Sequence, residues 1–573
     1  MTERGTLFMQ ETDSIHVQSE NTETPRAGFF RRYRFLWLAL LVLLLLALVP
    51  PLISVNRYRH RITTSISQSL GRPVHLDGVN LNLLPLPGFT LKNLVVDEDP
   101  AFGSEPIIRA NSVRVTLRLS SLWTGRIEFS TISFSDPSVN LVHLPNGKWN
   151  LESILLQASH IEAAPTAQRR RGAAPRFPYI EATGARLNFK LNQEKIPLSF
   201  TNADFALWLS NPQQWRLRLQ ADPMRTDANV SGTGTIHVEG TLGRAASLAQ
   251  VPIHLQGAWR DAPLGGASWV LLGRDAGWRG NMTLSANIQG TVGDSAVEAK
   301  LTASDTRRAD FVPKRPLNVE LECLGTATNL FHSFDKIRCS WPPSSSIGAQ
   351  MLLVSGSLPD IRKPRLATVN LSVPGIPADT ILDWLHVMNE RVPADVSTGG
   401  TLTGSLSYRP DRPARWNGEL LITGSKLLRD KTGPQSFVRG DVALRSVAPA
   451  PVNPRAHRKN AALVSAPPAD DAFTLGPVLL ALGGKDPATL EGRFDSSGYT
   501  LHLTGMVTTS RLLELGAALP ALGDGLAKAL PEVRSTTPFR ADLTAVRAWR
   551  GTQVWTSATL PAPAHHPRIT KRR

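Results

Sequence analysis

The sequence predicts a mainly β protein, in which an N-terminal transmembrane helix precedes a long antiparallel sheet with a few short helices. Two observations lead to this prediction. Residues 35–55 form an apolar run without a charged residue, and from Val74 onward apolar and polar residues alternate in many short segments. Such alternation is typical of strands that bury one face, and the Gly, Pro, Asn and Asp residues between segments indicate turns.

The composition of the 573 residues limits the class of protein. Hydrophobic residues make up 42% of the chain, which is enough for a buried core and excludes wholesale disorder. Two cysteines cannot hold a chain of this length together. The 63 Lys and Arg residues exceed the 47 Asp and Glu residues, and the formal net charge of +16 favours anionic partners such as phospholipid head groups or nucleic acid.

The apolar run at residues 35–55 predicts a membrane anchor. At 1.5 Å per residue the run is about 30 Å long, which matches the hydrocarbon thickness of a bilayer. The alternative is a cleaved signal peptide, but 34 residues precede the run and no A-x-A pattern follows it. Arginines on both sides leave the orientation open, while the short preceding tail and long following body suggest that the body is exported.

An amphipathic helix is predicted directly after the anchor, because apolar residues recur every three or four positions from Val55 to Leu70. Gly71 and Pro73 mark its end. The helix either lies on the membrane surface or covers the first strands, and both are compatible. The candidate surface residues are Arg57, Tyr58, Arg59, Arg61 and Ile62.

The apolar faces of the predicted strands need a cover, and the sequence predicts few helices to provide one, at residues 151–160, 379–389 and 510–530. Either two sheets pack face to face, or one curved sheet forms a trough with an apolar lining. A trough would suit acyl chains. The candidate lining residues are Val113, Val115, Leu117, Leu119, Leu187, Phe189 and Leu191.

The pattern of segments divides the chain into regions. We expect an N-terminal tail (1–34), the transmembrane helix (35–55), an N-terminal domain (56–160), a linker (161–176), a β-rich region (177–445), a Pro- and Ala-rich loop (446–471), a C-terminal β/α region (472–548) and a basic tail (549–573).

Cys323 and Cys339 flank two strand-like runs at a spacing that suits neighbouring strands. They form either a disulfide or two separate buried thiols. The sequence contains no recognisable catalytic or metal-binding motif, so we expect neither an enzyme nor a cofactor. Nucleic-acid binding is not expected, because the basic residues are scattered and no recognition helix is apparent.

The residues between Tyr58 and Leu151 resemble the N-terminal domain of the bacterial AsmA family. The resemblance consists of the anchor followed by ordered short motifs. These motifs are LGRPV at 70–74, LP at 84–85, GFTLKNL at 88–94, DPAFG at 99–103, the strand at 113–119, Leu122 with Gly125, Pro137 with Val139, and GKWNL at 147–151. The similarity is strong over roughly the first 160 residues and diffuse afterwards.

This resemblance implies a long, curved antiparallel β-sheet groove, related to chorein-type bridge-like lipid-transfer proteins. It implies a single-pass protein of the bacterial inner membrane with a cytoplasmic N-terminus and a periplasmic body. The implied partners are phospholipid, the inner membrane and outer-membrane assembly proteins.

Two functions follow as expectations. In the first, the protein takes part in outer-membrane biogenesis by binding or conducting phospholipid along an apolar groove. In the second, it is a scaffold that regulates the targeting and assembly of outer-membrane proteins without moving lipid. The chain is short beside the longest family members, so a complete bridge between the two membranes is not expected.

Overall fold

The residues that the structure describes form one mixed β-sheet of 26 strands, with helices on some of the connections between strands. The computed structural model describes residues 35–42, 44, 59–82, 86–119, 129–152, 178–192, 194–211, 213–245, 247–313, 316–343, 351–412, 414–430, 435–447, 471–530 and 537–557.

The strands are β1 (Val74–His75), β2 (Gly78–Asn82), β3 (Gly88–Val96), β4 (Ile108–Leu117), β5 (Phe129–Ser135), β6 (Ser138–His143), β7 (Tyr179–Leu191), β8 (Glu194–Asn211), β9 (Gln214–Arg225), β10 (Thr235–Gly243), β11 (Pro252–Pro263), β12 (Trp278–Thr291), β13 (Asp294–Arg308), β14 (Leu317–Thr328), β15 (Ser333–Trp341), β16 (Leu352–Leu358), β17 (Thr368–Pro377), β18 (Val396–Tyr408), β19 (Trp416–Arg429), β20 (Val438–Arg439), β21 (Val442–Ser446), β22 (Phe473–Leu480), β23 (Ala488–Phe494), β24 (Gly498–Val507), β25 (Phe539–Ala548) and β26 (Val554–Ser557). The helices are α1 (Arg59–Leu70), α2 (Leu264–Leu272), α3 (Ala378–Met388), α4 (Thr509–Ala518) and α5 (Pro520–Gly523), with 3₁₀ turns at Leu248–Gln250, Pro364–Leu366 and Leu526–Ala529.

The predicted transmembrane helix lies only partly within the described residues. Residues 35–42 and 44 are helical, and the remainder of 35–55 lies outside the description. Within the described part of the chain, no helix is both long and apolar enough to cross a bilayer.

Two of the three helices predicted among the strands are present. The helix predicted at 379–389 is α3, and the one predicted at 510–530 is α4, α5 and a 3₁₀ turn, divided near Pro520. Of the helix predicted at 151–160, only residues 151 and 152 are described, and both are helical. The sequence did not predict α2.

Strands that follow each other along the chain lie side by side and antiparallel through most of the sheet. Three positions are shared by short strands: β1 and β2 both pair with β3, β5 and β6 both pair with β4 and with β7, and β20 and β21 both pair with β22. The last strand, β26, falls within the predicted basic tail at 549–573, where its four residues were too short a run to recognise.

The sheet is antiparallel as predicted except at one place. Strands β5 and β6 run parallel to β7, with Thr131 opposite Tyr179 and Val139 opposite Leu187. Parallel neighbours require a crossover of a dozen residues or more, and the connection from His143 to Tyr179 is long enough. The sheet is therefore mixed.

One face of the sheet is apolar because the strands pair in a register that aligns their alternating side chains. A single row across ten strands, β9 to β18, contains only apolar residues and cysteines. It runs through Leu219, Val238, Gly257, Ala286, Ala299, Cys323, Cys339, Val354, Leu371 and Leu406. The adjacent row, on the opposite face, begins Arg218, Glu239, Gln256, Asn287 and Glu298.

Bulges interrupt this register without exchanging the two faces. In β11, Trp259 lies opposite Leu284 and Ala262 opposite Met282, so the strand contains one extra residue between them. Asp261 lies in this bulge and adopts the left-handed conformation, with φ 52°. Asp and Asn tolerate that conformation better than other side chains. Trp259 and Ala262 therefore both face the same buried cluster.

Glycine allows β18 and β19 to approach closely on the apolar face. Gly404 has φ +131°, and a Cβ there would lie 2.2 Å from the carbonyl oxygen of Glu419 in β19. A side chain at this position is excluded both by the backbone conformation and by the neighbouring strand. The close pairing of these strands thus depends on glycine.

Helices cover the apolar face at both ends of the sheet. At the start, Ile62 and Ile66 of α1 and Leu151 pack on a cluster that we call the N-terminal core: Val74, Leu76, Val79, Leu91, Leu94, Val96, Ile107, Ala110, Val113 and Val115. At the other end, α4 and α5 pack on β22 to β25 in the C-terminal core, whose largest members include Phe437, Leu482, Leu490, Leu503, Leu515, Leu526 and Leu543.

A buried cluster of polar side chains stabilises the N-terminal core. Arg72, two residues before β1, lies 3.4 Å from the carboxylate of Glu98, and both side chains are almost wholly buried. Asn150 donates to Glu98 and to the Asn140 carbonyl, and its Oδ1 accepts from the Val142 amide at 3.0 Å. The cluster joins three parts of the chain that lie far apart in sequence. It also contains one residue from each of two short motifs, Arg72 from the motif at 70–74 and Asn150 from the motif at 147–151.

Cys323 and Cys339 form a disulfide between β14 and β15, with the sulfurs 2.10 Å apart. The two residues are direct cross-strand partners, and both belong to the apolar row. The bond therefore closes a hairpin in the middle of the sheet.

We expect Gly404→Ala to destabilise the sheet by about 2 kcal/mol, because alanine must adopt a strained backbone beside the Glu419 carbonyl. The midpoint of urea unfolding measures the change. The control is Gly78→Ala, where a Cβ meets nothing within 4 Å. Equal midpoints for the two variants would contradict the role given to Gly404.

Asn150→Ala should destabilise the N-terminal core by about 3 kcal/mol, since it leaves Glu98 and the Val142 amide buried without this partner. Hydrogen exchange of the β3 and β6 amides reports the loss. Asn146→Ala removes an exposed side chain that accepts one bond from the same turn, and it should have little effect. Unchanged protection in Asn150→Ala would refute this explanation.

Candidate functional site

The side chains of the apolar face are buried at its two ends and more exposed in its middle. Val113 in the N-terminal core and Leu543 in the C-terminal core are each 1% exposed, whereas Leu284 in β12 is 39% exposed. All three lie on the same face and follow the same alternation. The difference is therefore one of cover and not of sequence pattern.

We call the uncovered part the central apolar face. Its side chains are half-buried or exposed, and they extend from β8 to β19. They include Phe205, Leu207, Leu217, Leu219, Val238, Leu255, Leu284, Ile288, Val297, Leu301, Leu321, Val354, Leu371, Leu402, Leu420 and Ile422. At about 4.8 Å per strand, this face is about 55 Å long.

Aromatic rings stand at intervals along the central apolar face and its borders. Phe189 and Phe200 meet edge to face at 5.1 Å between ring centres. Towards the other end, Trp416 contacts Tyr408 at 5.0 Å and Phe473 at 5.6 Å. Rings of this size add apolar contact area without adding charge.

Helices α2 and α3 lie over one rim of this face. We call it the helix-bearing rim, formed by the connections β11–β12, β13–β14 and β17–β18. Ala267 and Val270 of α2 pack on Trp259 and Met282. In α3, Trp384 meets Trp341 of β15 edge to face, at 6.2 Å. Each strand carries the chain from one rim of the sheet to the other, and six strands, β12 to β17, separate the two helices. Because six is an even number, both helices lie at the same rim.

The opposite face of the sheet is polar and solvated. Lys300 in β13 lies 3.0 Å from Glu298 and 3.1 Å from Glu322, and hydrogen bonds to these carboxylates raise its pKa. Across β7 to β13 this face forms an open concavity of about 860 Å³, whose lining includes Arg218, His237, Glu239 and Lys300. Both charge signs line it, so it does not select an anion or a cation.

Three of the seven predicted lining residues lie on or beside the central apolar face. Leu187 packs with Phe200 and Leu219, and Phe189 contacts Phe200. Leu191 ends β7 with an exposed side chain at the margin. Leu117 is half-buried at the end of β4, and Leu119 is exposed beyond that strand.

The prediction that Val113 and Val115 line an open groove needs correction. Both residues are on the apolar face, but they are buried in the N-terminal core. Helix α1 covers this part of the sheet, so the two side chains are closed to a ligand in this structure.

The five residues predicted on the membrane-surface helix have different outcomes. Ile62 faces the N-terminal core, which agrees with the alternative that the helix covers the first strands. Arg59 donates to the carbonyl of Asp77 at 3.0 Å. Arg57 and Tyr58 lie outside the described residues, and so does the side chain of Arg61.

Most residues of the central apolar face were not among the predicted lining. They carry the same signal as the predicted ones, a period of two, as in Trp215, Leu217 and Leu219. What the sequence lacks is a sign of which strands remain uncovered. The lining was therefore placed too close to the N-terminus.

The chemistry available on this face is burial of apolar groups. Within the described residues, no cluster of three or more His, Cys, Asp and Glu side chains could hold a metal ion. Each methylene group that a ligand buries contributes about 0.8 kcal/mol. Long acyl chains are thus the ligands that gain most from such a surface.

Comparison with known proteins gives one match. The AsmA family model matches residues 29–194, which include α1, the N-terminal core and the buried cluster of Arg72, Glu98 and Asn150. No curated protein and no solved structure gives a significant match to the chain. The match covers under a third of the chain. It includes the part of the sheet that helix α1 covers. The family assignment therefore applies to residues 29–194, which form an AsmA family region.

Proposed function

We propose that the protein holds phospholipid by its acyl chains on the central apolar face and acts in outer-membrane biogenesis. The observation that carries the proposal is a continuous apolar face of about 55 Å that the described helices leave largely uncovered. AsmA family membership fits outer-membrane biogenesis or a role in lipid transport in general. The exposed strand side chains bind by burial, without covalent chemistry or a cofactor.

The proposal includes a location. Residues 35–55 anchor the chain in the inner membrane, with the N-terminus in the cytoplasm and the sheet in the periplasm. The Cys323–Cys339 disulfide supports an oxidising compartment, because such bonds are rare in proteins of the cytosol.

A second candidate is a scaffold that recruits outer-membrane assembly proteins and moves no lipid. One observation favours it: the apolar face ends in a closed core on each side, which is unlike an end-to-end conduit. In this function the apolar face would contact protein.

Photo-crosslinking in cells separates these functions. A photoreactive phenylalanine analogue replaces Leu284 or Ile288 on the central apolar face of the full-length protein, and phospholipid is radiolabelled. The matched control position is Leu324, which is 48% exposed but belongs to the opposite face, where it lies across from Arg338. Lipid binding predicts labelled adducts at 284 and 288, at least tenfold above 324.

Adducts to protein alone at 284 and 288 would support the scaffold and refute lipid binding. A second test uses charge: Ile288→Asp should lower lipid capture at position 284 about tenfold, since a carboxylate disfavours acyl chains by well over 1.4 kcal/mol. Leu324→Asp should leave capture unchanged.

The disulfide gives a test of the compartment. Alkylation of the protein in cells, before reduction, should label neither Cys323 nor Cys339, whereas both react after reduction. Rapid labelling of both thiols before reduction would place the sheet in a reducing compartment and contradict the proposed location. Expression without residues 1–55 provides the cytosolic control, in which both thiols should be labelled.

A further inference from the structure

Helix α2 is apolar on both its inner and its outer side. Its nine residues, LGGASWVLL, contain no charge. Ala267, Ser268 and Val270 are buried against the sheet, but Leu271 is 67% exposed and Leu272 is exposed as well. A helix that is apolar all round is normally surrounded by apolar material. The outer side of α2 therefore lacks a cover among the described residues.

Neighbouring segments of the helix-bearing rim present similar side chains. Met388 at the end of α3 is 65% exposed, and Leu385 and Val312 are also exposed. The segments touch one another: the Ala309 amide donates to the Gly277 carbonyl, and Phe311 stacks on His386 at 4.4 Å. We call Leu271, Leu272, Val312, Leu385 and Met388 the rim strip.

Two ion pairs lie beside the rim strip. Arg279 lies 3.1 Å from Asp275, and Arg308 pairs with Asp310 at 2.5 Å. Hydrogen bonds from the two arginines lower the pKa of each aspartate, so both carboxylates stay charged at neutral pH. These two pairs add no net charge to the rim, and the five side chains of the rim strip are themselves apolar.

The closed ends of the sheet restrict access to the central apolar face. The N-terminal core fills one end and the C-terminal core fills the other, with side chains such as Leu91 and Leu503 only 2–3% exposed. A molecule that moves along the face meets a packed core at each end. Access across a rim avoids both cores.

We propose that the rim strip docks on a lipid bilayer, and that phospholipid passes across this rim between the bilayer and the central apolar face. The proposal rests on the proposed function. Continuity favours a bilayer over a protein partner, since α2 and α3 join the strip directly to the apolar face. The small size of the rim strip also favours a bilayer. A stable protein interface takes about 800 Å² and 20 residues from each partner, whereas the rim strip has five projecting side chains.

The same crosslinking chemistry tests this inference on the full-length protein in its membrane. The analogue is placed at Leu272 and at Met388. The matched control is Val554 in β26, which is 57% exposed and lies at the far end of the sheet. Docking predicts phospholipid adducts at 272 and 388 at least fivefold above those at 554.

Position 284 separates failure of this inference from failure of the proposed function. Adducts at 284 together with none at 272 and 388 would overturn docking and leave lipid binding intact. Protein adducts alone at 272 and 388 would also overturn it, in favour of a protein interface. Absence of lipid adducts at 284 would overturn both proposals.

A transfer measurement completes the test. The full-length protein is reconstituted in donor vesicles of phosphatidylcholine, and movement of a fluorescent phospholipid to acceptor vesicles is followed. Combined Leu271→Ser, Leu272→Ser and Met388→Ser changes should slow transfer at least fivefold, and Val554→Ser should not. A normal rate in the triple variant would refute the inference.

Discussion

Pairing register is the constraint on which the rest of the structure depends. Side chains on a strand alternate with a period of two, so a slip of one residue between two strands would exchange their faces. A row such as Leu219, Val238, Gly257 and Ala286 exists only because every successive pair is aligned. Where a strand contains an extra residue, a bulge absorbs it, as at Asp261.

Register creates the apolar face, but helices decide how it is used. The first strands and the last strands are covered by α1 and by α4 with α5, and there the side chains form packed cores. In the middle, α2 and α3 cover little more than one rim. The same alternation of apolar and polar residues thus gives packed cores at the two ends of the sheet and a candidate binding surface between them.

Much of the fold could be predicted from the sequence. The alternation at residues 113–119, 187–191 and 215–219 belongs to strands, and the helices at 379–389 and 510–530 are present. Helix α2 was missed because LGGASWVLL contains two glycines and no charge, so it has neither a strong helix preference nor an amphipathic period. The parallel pairing of β6 with β7 was missed because alternation does not record strand direction.

The site was harder to predict than the fold. Val113 and Leu284 follow the same pattern, yet α1 buries the first and the second remains exposed. Trough and sandwich also share this alternation, because each buries one face of every strand. Only the positions of covering elements distinguish them, and these depend on contacts between residues far apart in sequence.

The order of the strands has a consequence for how such a protein changes over evolutionary time. Since each strand of β8 to β19 pairs with its neighbours in sequence, a duplicated hairpin can enter the series while the remaining pairs stay intact. Each duplication adds two strands, about 10 Å. An insertion of a single strand would reverse every later strand and move α3 and α4 to the other margin. Growth in units of two is therefore the route by which this architecture can lengthen and keep its helices on one side.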